Sequence, residues 1–241
     1  MNNTFVLFVG ELHRMKKYNI LAASFVASLL WIGVLAFSSI EDVSHIFPLL
    51  VFLDATAMSM VMIGVTMFFE KQEGVIKTFL VAPIHKVEYL AAKSLANILS
   101  NVLTLLLLYG YAVIFKKIDV NLPGLIGAVS LIALFHSLIG VWLTYHSRDF
   151  TDLLVGMVKY TLVMMLPVLF EQLGVITSDV IKNILYVIPT KPAMLLLEAG
   201  TTGIESWELW LSAGYLLAAS VLLFTIVTKK FDEFAMKESG V

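Results

Sequence analysis

Apolar residues run along this chain in long blocks separated by short polar breaks, and the blocks share one length. Six stretches are predominantly apolar over about 20 residues, enough to cross a hydrocarbon core: roughly 18–40, 47–69, 94–115, 122–145, 153–174 and 207–228. The pattern predicts six transmembrane helices in an all-α polytopic membrane protein. Two further segments are amphipathic instead. In FVLFVGELHRMKK, Phe5, Phe8, Val9, Leu12 and Met15 share one helical face and Glu11, Arg14 and Lys17 the other, with Val6 and Leu7 off the pattern. This predicts that residues 1–17 form a helix lying along the inner interface.

The second amphipathic segment lies between the second and third spans. From Glu73 to Ala82, the apolar Val75, Ile76, Phe79, Leu80 and Ala82 share one arc and Glu73, Gly74, Lys77 and Thr78 the other, with Val81 as the exception. A short helix stopped by Pro83 is expected, then a new helix running through Lys93 into the third span. Glu73 and Lys77 have the i, i+4 spacing of a surface ion pair, worth about 0.2–0.5 kcal/mol. On amphipathicity alone, an ordinary inner loop resting on lipid headgroups is the better fit.

Residues 175–206 break the pattern differently. Two apolar runs too short to span are interrupted by Pro189 and Pro192. They predict two short interfacial or re-entrant helices capping the outer end, and a structured outer loop with no transport role fits equally well. The halves of the chain show no matching broken helices, which argues against an inverted repeat of the secondary-transporter kind.

Composition agrees with the periodicity. The 241 residues are 59% hydrophobic and 14% charged, with a mean hydropathy of +0.92. That balance predicts a single transmembrane domain with little room for a soluble one. A net charge of −2 and no basic tail speak against a nucleic-acid partner. The absence of cysteine excludes disulfides, thiolate metal sites and a cysteine nucleophile. The first apolar run continues for a full span, as expected of a retained helix rather than a cleaved signal.

Basic residues set the expected orientation. With the N-terminus inside, inner segments hold Arg14, Lys16, Lys17, Lys71, Lys77, Lys86, Lys93, Arg148, Lys159, Lys229, Lys230 and Lys237. Outer segments hold Lys116, Lys117, Lys182 and Lys191. Both termini, including a tail at 229–241, are therefore predicted to be cytoplasmic. Aromatic residues near the span ends, such as Trp142 and Tyr145 inside and Trp207 and Trp210 outside, fit the same boundaries.

Glu70, Lys71, Glu73, Gly74, Lys77, Pro83, Tyr89, Leu90 and Lys93 follow an order that resembles the inner loop of ABC-2-type transporter permeases, the membrane subunits of bacterial ABC exporters. The similarity extends to the whole topology: an interfacial helix, six spans, both ends inside and a proline-containing outer region. It implies a permease in the bacterial cytoplasmic membrane that pairs with a second permease, identical or related, and with cytoplasmic ABC ATPase subunits. ATP and Mg would be held by the ATPase and no cofactor by this chain.

Within 70–92, the resemblance makes Glu70, Lys71, Glu73, Gly74, Val75, Ile76, Lys77, Phe79 and Pro83 a coupling segment seated on the ATPase. It makes 5–17, with Phe5, Phe8, Leu12 and Arg14, an elbow helix. Among relatives of this size it points to export of drugs or antimicrobials. The chain has no GxxxxGK[ST] loop, so any ATP must be hydrolysed by a partner; a passive channel would lack the loop too.

Few intramembrane residues carry chemistry. Asp54 lies inside the second span, where a centred charge costs about 2.5–3.5 kcal/mol. It can line a substrate path, bind a cation or bond a neighbouring helix. His136 beside Ser137 raises a hydrolase reading, but no GxSxG surrounds them. Lys159 is placed to snorkel to the headgroups. Glu171 and Glu198 bracket the outer region, where they can meet a cationic substrate or simply face solvent. Asp54, His136 and Glu171 are thus the candidates for a substrate path, with no catalytic residue or metal ligand expected. The alternatives are a secondary transporter using Asp54 and a membrane-embedded enzyme using His136.

Overall fold

The structure, a computed structural model, describes residues 3–79 and 82–236. The Phe79 side chain, Leu80 and Val81, the tail residues 237–241 and the first two residues lie outside the described residues. The described chain is helical throughout, with no strand: α1 Asn3–Lys17, α2 Ile20–Phe37, α3 Phe47–Gln72, α4 Val75–Phe79, α5 Lys86–Phe115 and α6 Leu122–His146. There follow α7 Phe150–Tyr160, a π-helical turn Thr161–Met165, α8 Leu166–Gln172, α9 Asp179–Leu185, α10 Thr190–Ala199 and α11 Ser206–Met236. Six helical stretches are long and apolar enough to cross a membrane: α2, α3, α5, α6, the continuous α7–α8 and α11.

Burial sorts these spans into centre and rim. In the most apolar windows of α3 and α6, 67% and 61% of residues are buried, against 22% in α7–α8 and in α11. The rim spans turn Leu30, Phe37, Val158, Val163 and Leu222 outwards, as helices bathed in hydrocarbon do. Close approach of the two central helices depends on Gly140: a Cβ there would lie 2.5 Å from Ile63 Cγ2 and 2.7 Å from the Met60 carbonyl oxygen. Small residues at such crossings let backbones pack without a hydrophobic driving force.

Local sequence explains most breaks. Gly74 takes φ 73°, a left-handed conformation that costs glycine little, and so turns the end of α3 into α4. His85 and Glu88 form a reciprocal capping box that starts α5 at Lys86. Asn121 and Asp149 accept N-cap hydrogen bonds from the Gly124 and Asp152 amides. The π turn precedes Pro167, whose missing N–H and ring disturb the preceding helical turn. In that turn the Met164 carbonyl accepts the Thr190 hydroxyl of α10.

Two features differ from the sequence expectations. The short helix starts at Val75 rather than at Glu73, because Glu73 closes α3 instead of opening α4. The stretch from 229, expected as a tail, continues α11 to Met236 and buries Phe231, Phe234 and Ala235. In the outer region α9 and α10 meet at a 96° bend. There α9 is largely exposed, while α10 is buried from Thr190 to Leu197 against α3, α6 and α11.

Candidate functional site

The charged residues of α1, the end of α3 and the start of α5 converge at the end of the bundle that carries α4. Glu70, on the last turn of α3, is fully buried. Its carboxylate accepts from Lys93 Nζ at 2.9 Å and the Tyr89 hydroxyl at 2.5 Å, and pairs in charge with Arg14, whose Nε lies 2.8 Å away. Lys93 also donates to Glu11 at 2.6 Å, and Arg14 to the other Glu11 oxygen at 2.9 Å. Two carboxylates and two cations therefore neutralise one another at a three-helix junction. Buried charges are tolerated only when paired and hydrogen-bonded in this way. Burial pushes the Glu11 carboxyl up, but Lys93 and Arg14 outweigh it and hold it below the usual carboxylate range. Burial pulls the Arg14 guanidinium down, and Glu11 and Glu70 more than restore it.

This junction corrects two expectations. Glu70 is part of the interior rather than a contact point for a partner. The polar face of α1, placed opposite its apolar stripe, points into the protein at Glu11, while Phe5 is exposed and Phe8 and Leu12 are half-buried. Both corrections have one cause: α3 and α5 offer Glu11 and Arg14 partners of opposite sign, and buried charges persist where they are paired and hydrogen-bonded. Tyr89 and Lys93, one turn apart on α5, complete the cluster, yet the sequence reading left them out of the site. Their i, i+4 spacing, which puts both on one face of α5, was the available signal.

Around this anchor the short helix is held at both flanks. Glu73 does not pair with Lys77; its carboxylate takes Lys17 Nζ at 2.9 and 3.0 Å and the Tyr18 hydroxyl at 2.9 Å. Those donors hold the exposed Glu73 below the usual carboxylate range. Ile76 is buried among Met67, Tyr89, Phe231 and Phe234. Lys71 lies over the Phe234 ring at 4.7 Å, and Lys86 pairs with Asp232 at 2.7 Å. Val75 is half-buried, and Lys77, Thr78 and Pro83 are exposed. The segment thus presents a small polar face while its base is fixed to α1, α3, α5 and α11.

The three candidate path residues occupy separate neighbourhoods, and no hydrogen bond or ion pair joins any two of them. Asp54 accepts from Trp31 Nε1 at 3.2 Å and Thr104 Oγ1 at 2.9 Å. His136 bonds the Ile132 carbonyl at 2.9 Å through Nδ1 and meets Tyr160 edge-on; its neighbour Ser137 donates to the Leu134 carbonyl. Glu171, at the end of α8, pairs with Lys191 of α10 at 2.7 Å. Lys159 is exposed on α7.

The family model for fluoroquinolones export permease proteins matches residues 5–239. Curated relatives in two Mycobacterium tuberculosis strains, CDC 1551 and H37Rv, each bear the name fluoroquinolones export permease protein. Each is 26% identical over 233 residues, covering 96% of this chain and 95% of the relative. With nearly the whole length matched, this multi-pass membrane protein belongs to the fluoroquinolones export permease family.

Proposed function

We propose that this chain is the permease of an ABC-2-type exporter that moves amphipathic drugs of the fluoroquinolone class outwards across the bacterial cytoplasmic membrane. In this reading both termini are cytoplasmic, two permeases form the pathway, and each engages a separate ATPase that binds ATP and Mg. The observation that carries the reading is the α3–α4–α5 hairpin. A short helix with an exposed polar face follows the turn at Gly74, and its buried Ile76 packs beside a junction where buried ions tie α3 and α5 to α1, so a push on it has a route into both spans. The family's name and those of its mycobacterial members support the drug class.

In this reading the hairpin drives alternating access. Closure of the ATPase pair displaces α4, the Glu70–Lys93 and Glu11–Lys93 pairs carry the displacement into α3, α5 and α1, and the central α3–α6 contact moves with them. The test is ATP-dependent accumulation of a fluorescent fluoroquinolone in everted vesicles carrying the permease and its ATPase. Lys77→Glu reverses an exposed charge on α4 without touching the buried ions. Loss of one charged contact, about 1.5 kcal/mol or more, should lower the rate about tenfold at unchanged membrane insertion. Transport at the full rate would overturn the assignment of α4 as the docking element.

A further inference from the structure

Another buried charge, Asp54, lies well away from the ion cluster. Asp54 stands on α3 about 10 Å along the helix from Phe47 and is 7% exposed. No basic side chain pairs with it among the described residues; its partners are the neutral Trp31 indole and Thr104 hydroxyl. Even those two donors are incomplete. Thr104 Oγ1 lies 2.9 Å from Asp54 Oδ2 and also 2.9 Å from the Asn101 carbonyl oxygen, and a hydroxyl has one proton to give. When ionised, this carboxylate is left short of positive charge in the interior of the bundle.

Beside it is a cavity of about 10 Å³, room for one water-sized sphere, lined by Ser28, Trp31, Asp54, Asn101 and Thr104 with apolar walls. Asn101 faces it with an unmet need. Its Nδ2 donates to the Asn97 carbonyl at 2.8 Å and to Asn97 Oδ1 at 3.1 Å, which fixes the amide orientation. Its Oδ1 is buried and has no hydrogen-bond partner. Ser28 spends its proton on the Ser24 carbonyl at 3.1 Å and keeps its lone pairs. The residues that line the cavity thus carry a carboxylate, an orphaned amide oxygen and two hydroxyl oxygens.

We propose that this cavity is a binding site for one monovalent metal cation of sodium size, held by Asp54, Asn101 Oδ1, Ser28 Oγ and Thr104 Oγ1. Oxygen-only ligands suit a hard cation. A single carboxylate selects the charge: a monovalent ion brings the site to neutrality, whereas a divalent ion would leave a net positive charge among hydrocarbon walls. An organic ammonium group with its substituents exceeds the space. The bound ion ties α2, α3 and α5 together through one residue or more of each and supplies the charge that Asp54 lacks. This is independent of any ATPase, so its failure and that of the exporter reading are separable.

The test uses the purified full chain in detergent, thermally unfolded in NaCl or choline chloride at equal ionic strength and fixed pH. Sodium should raise Tm saturably, by about 5–11 °C at 100 times the dissociation constant. Radiolabelled sodium should be retained at about one per chain, the single-site stoichiometry that this linkage assumes. Asp54→Asn should abolish both effects. Asn101→Ala, which keeps the carboxylate, should raise half-saturation about tenfold. Identical melting in the two salts with no retained label would overturn the proposal and leave the cavity to water. A sodium effect that survives Asp54→Asn would overturn it as well, by locating the ion elsewhere.

Discussion

Replacing Lys93 by methionine removes one cation from a buried four-charge cluster and keeps most of the side-chain volume. Lys93 Nζ stands 2.6 Å from Glu11 and 2.9 Å from Glu70, with 1% of its side chain exposed. At an effective dielectric of about 20, each pair attracts by about 6 kcal/mol before desolvation is charged against it. The variant leaves two carboxylates to share Arg14, a net buried negative charge. Breaking one partner out of such a cluster costs about 3–5 kcal/mol. For a chain of this length that corresponds to a fall in Tm of about 6–20 °C, if unfolding in detergent is two-state. The double variant Lys93→Met, Glu11→Gln restores neutrality, with Glu70 and Arg14 still paired, and should recover at least about 2 kcal/mol. Thermal unfolding of the purified permease in micelles, followed by near-ultraviolet circular dichroism, measures both. A single variant within about 1 kcal/mol of wild type, or a double variant whose loss equals the sum of the two singles, would refute the ion-cluster account.

Two further outcomes follow from packing and titration. Gly140→Ala drives a methyl group into the Met60 carbonyl and Ile63, and should destabilise by about 1–3 kcal/mol, whereas Gly127→Ala, with nothing within 4 Å, should be near neutral; their melting temperatures decide. The folded Glu11 carboxyl titrates below its ordinary 4.5, so its contribution is fully present above that value and is lost as pH falls below it. Wild type should therefore lose Tm on acidification below about pH 4.5 more steeply than Glu11→Gln, and parallel curves would contradict the assignment.

The spans were legible because twenty-residue apolar blocks and the Lys/Arg asymmetry are one-dimensional signals. Pro189 and Pro192 likewise announced the break now occupied by α9 and α10. What one dimension hid was which charged residues turn inward. Glu11 and Arg14 read as the water-facing side of an interfacial helix, because the helical wheel of α1 shows its own faces and says nothing of what α3 and α5 offer it. Glu73 and Lys77 had the right spacing for a pair, yet the left-handed Gly74 places them on different helices. Asp54 was visible as costly; that its partners are Trp31 and Thr104, beside an unsatisfied Asn101, depends on three spans meeting at one height.

The most direct test of the central claim is to purify the chain from its native membrane in mild detergent, identify what accompanies it by mass spectrometry, and assay ATP hydrolysis. The account predicts a cytoplasmic ATPase at about one per permease, with hydrolysis that a fluoroquinolone alters and Lys77→Glu weakens by the loss of one charged contact. A properly assembled permease that is reproducibly alone and silent towards ATP would contradict it.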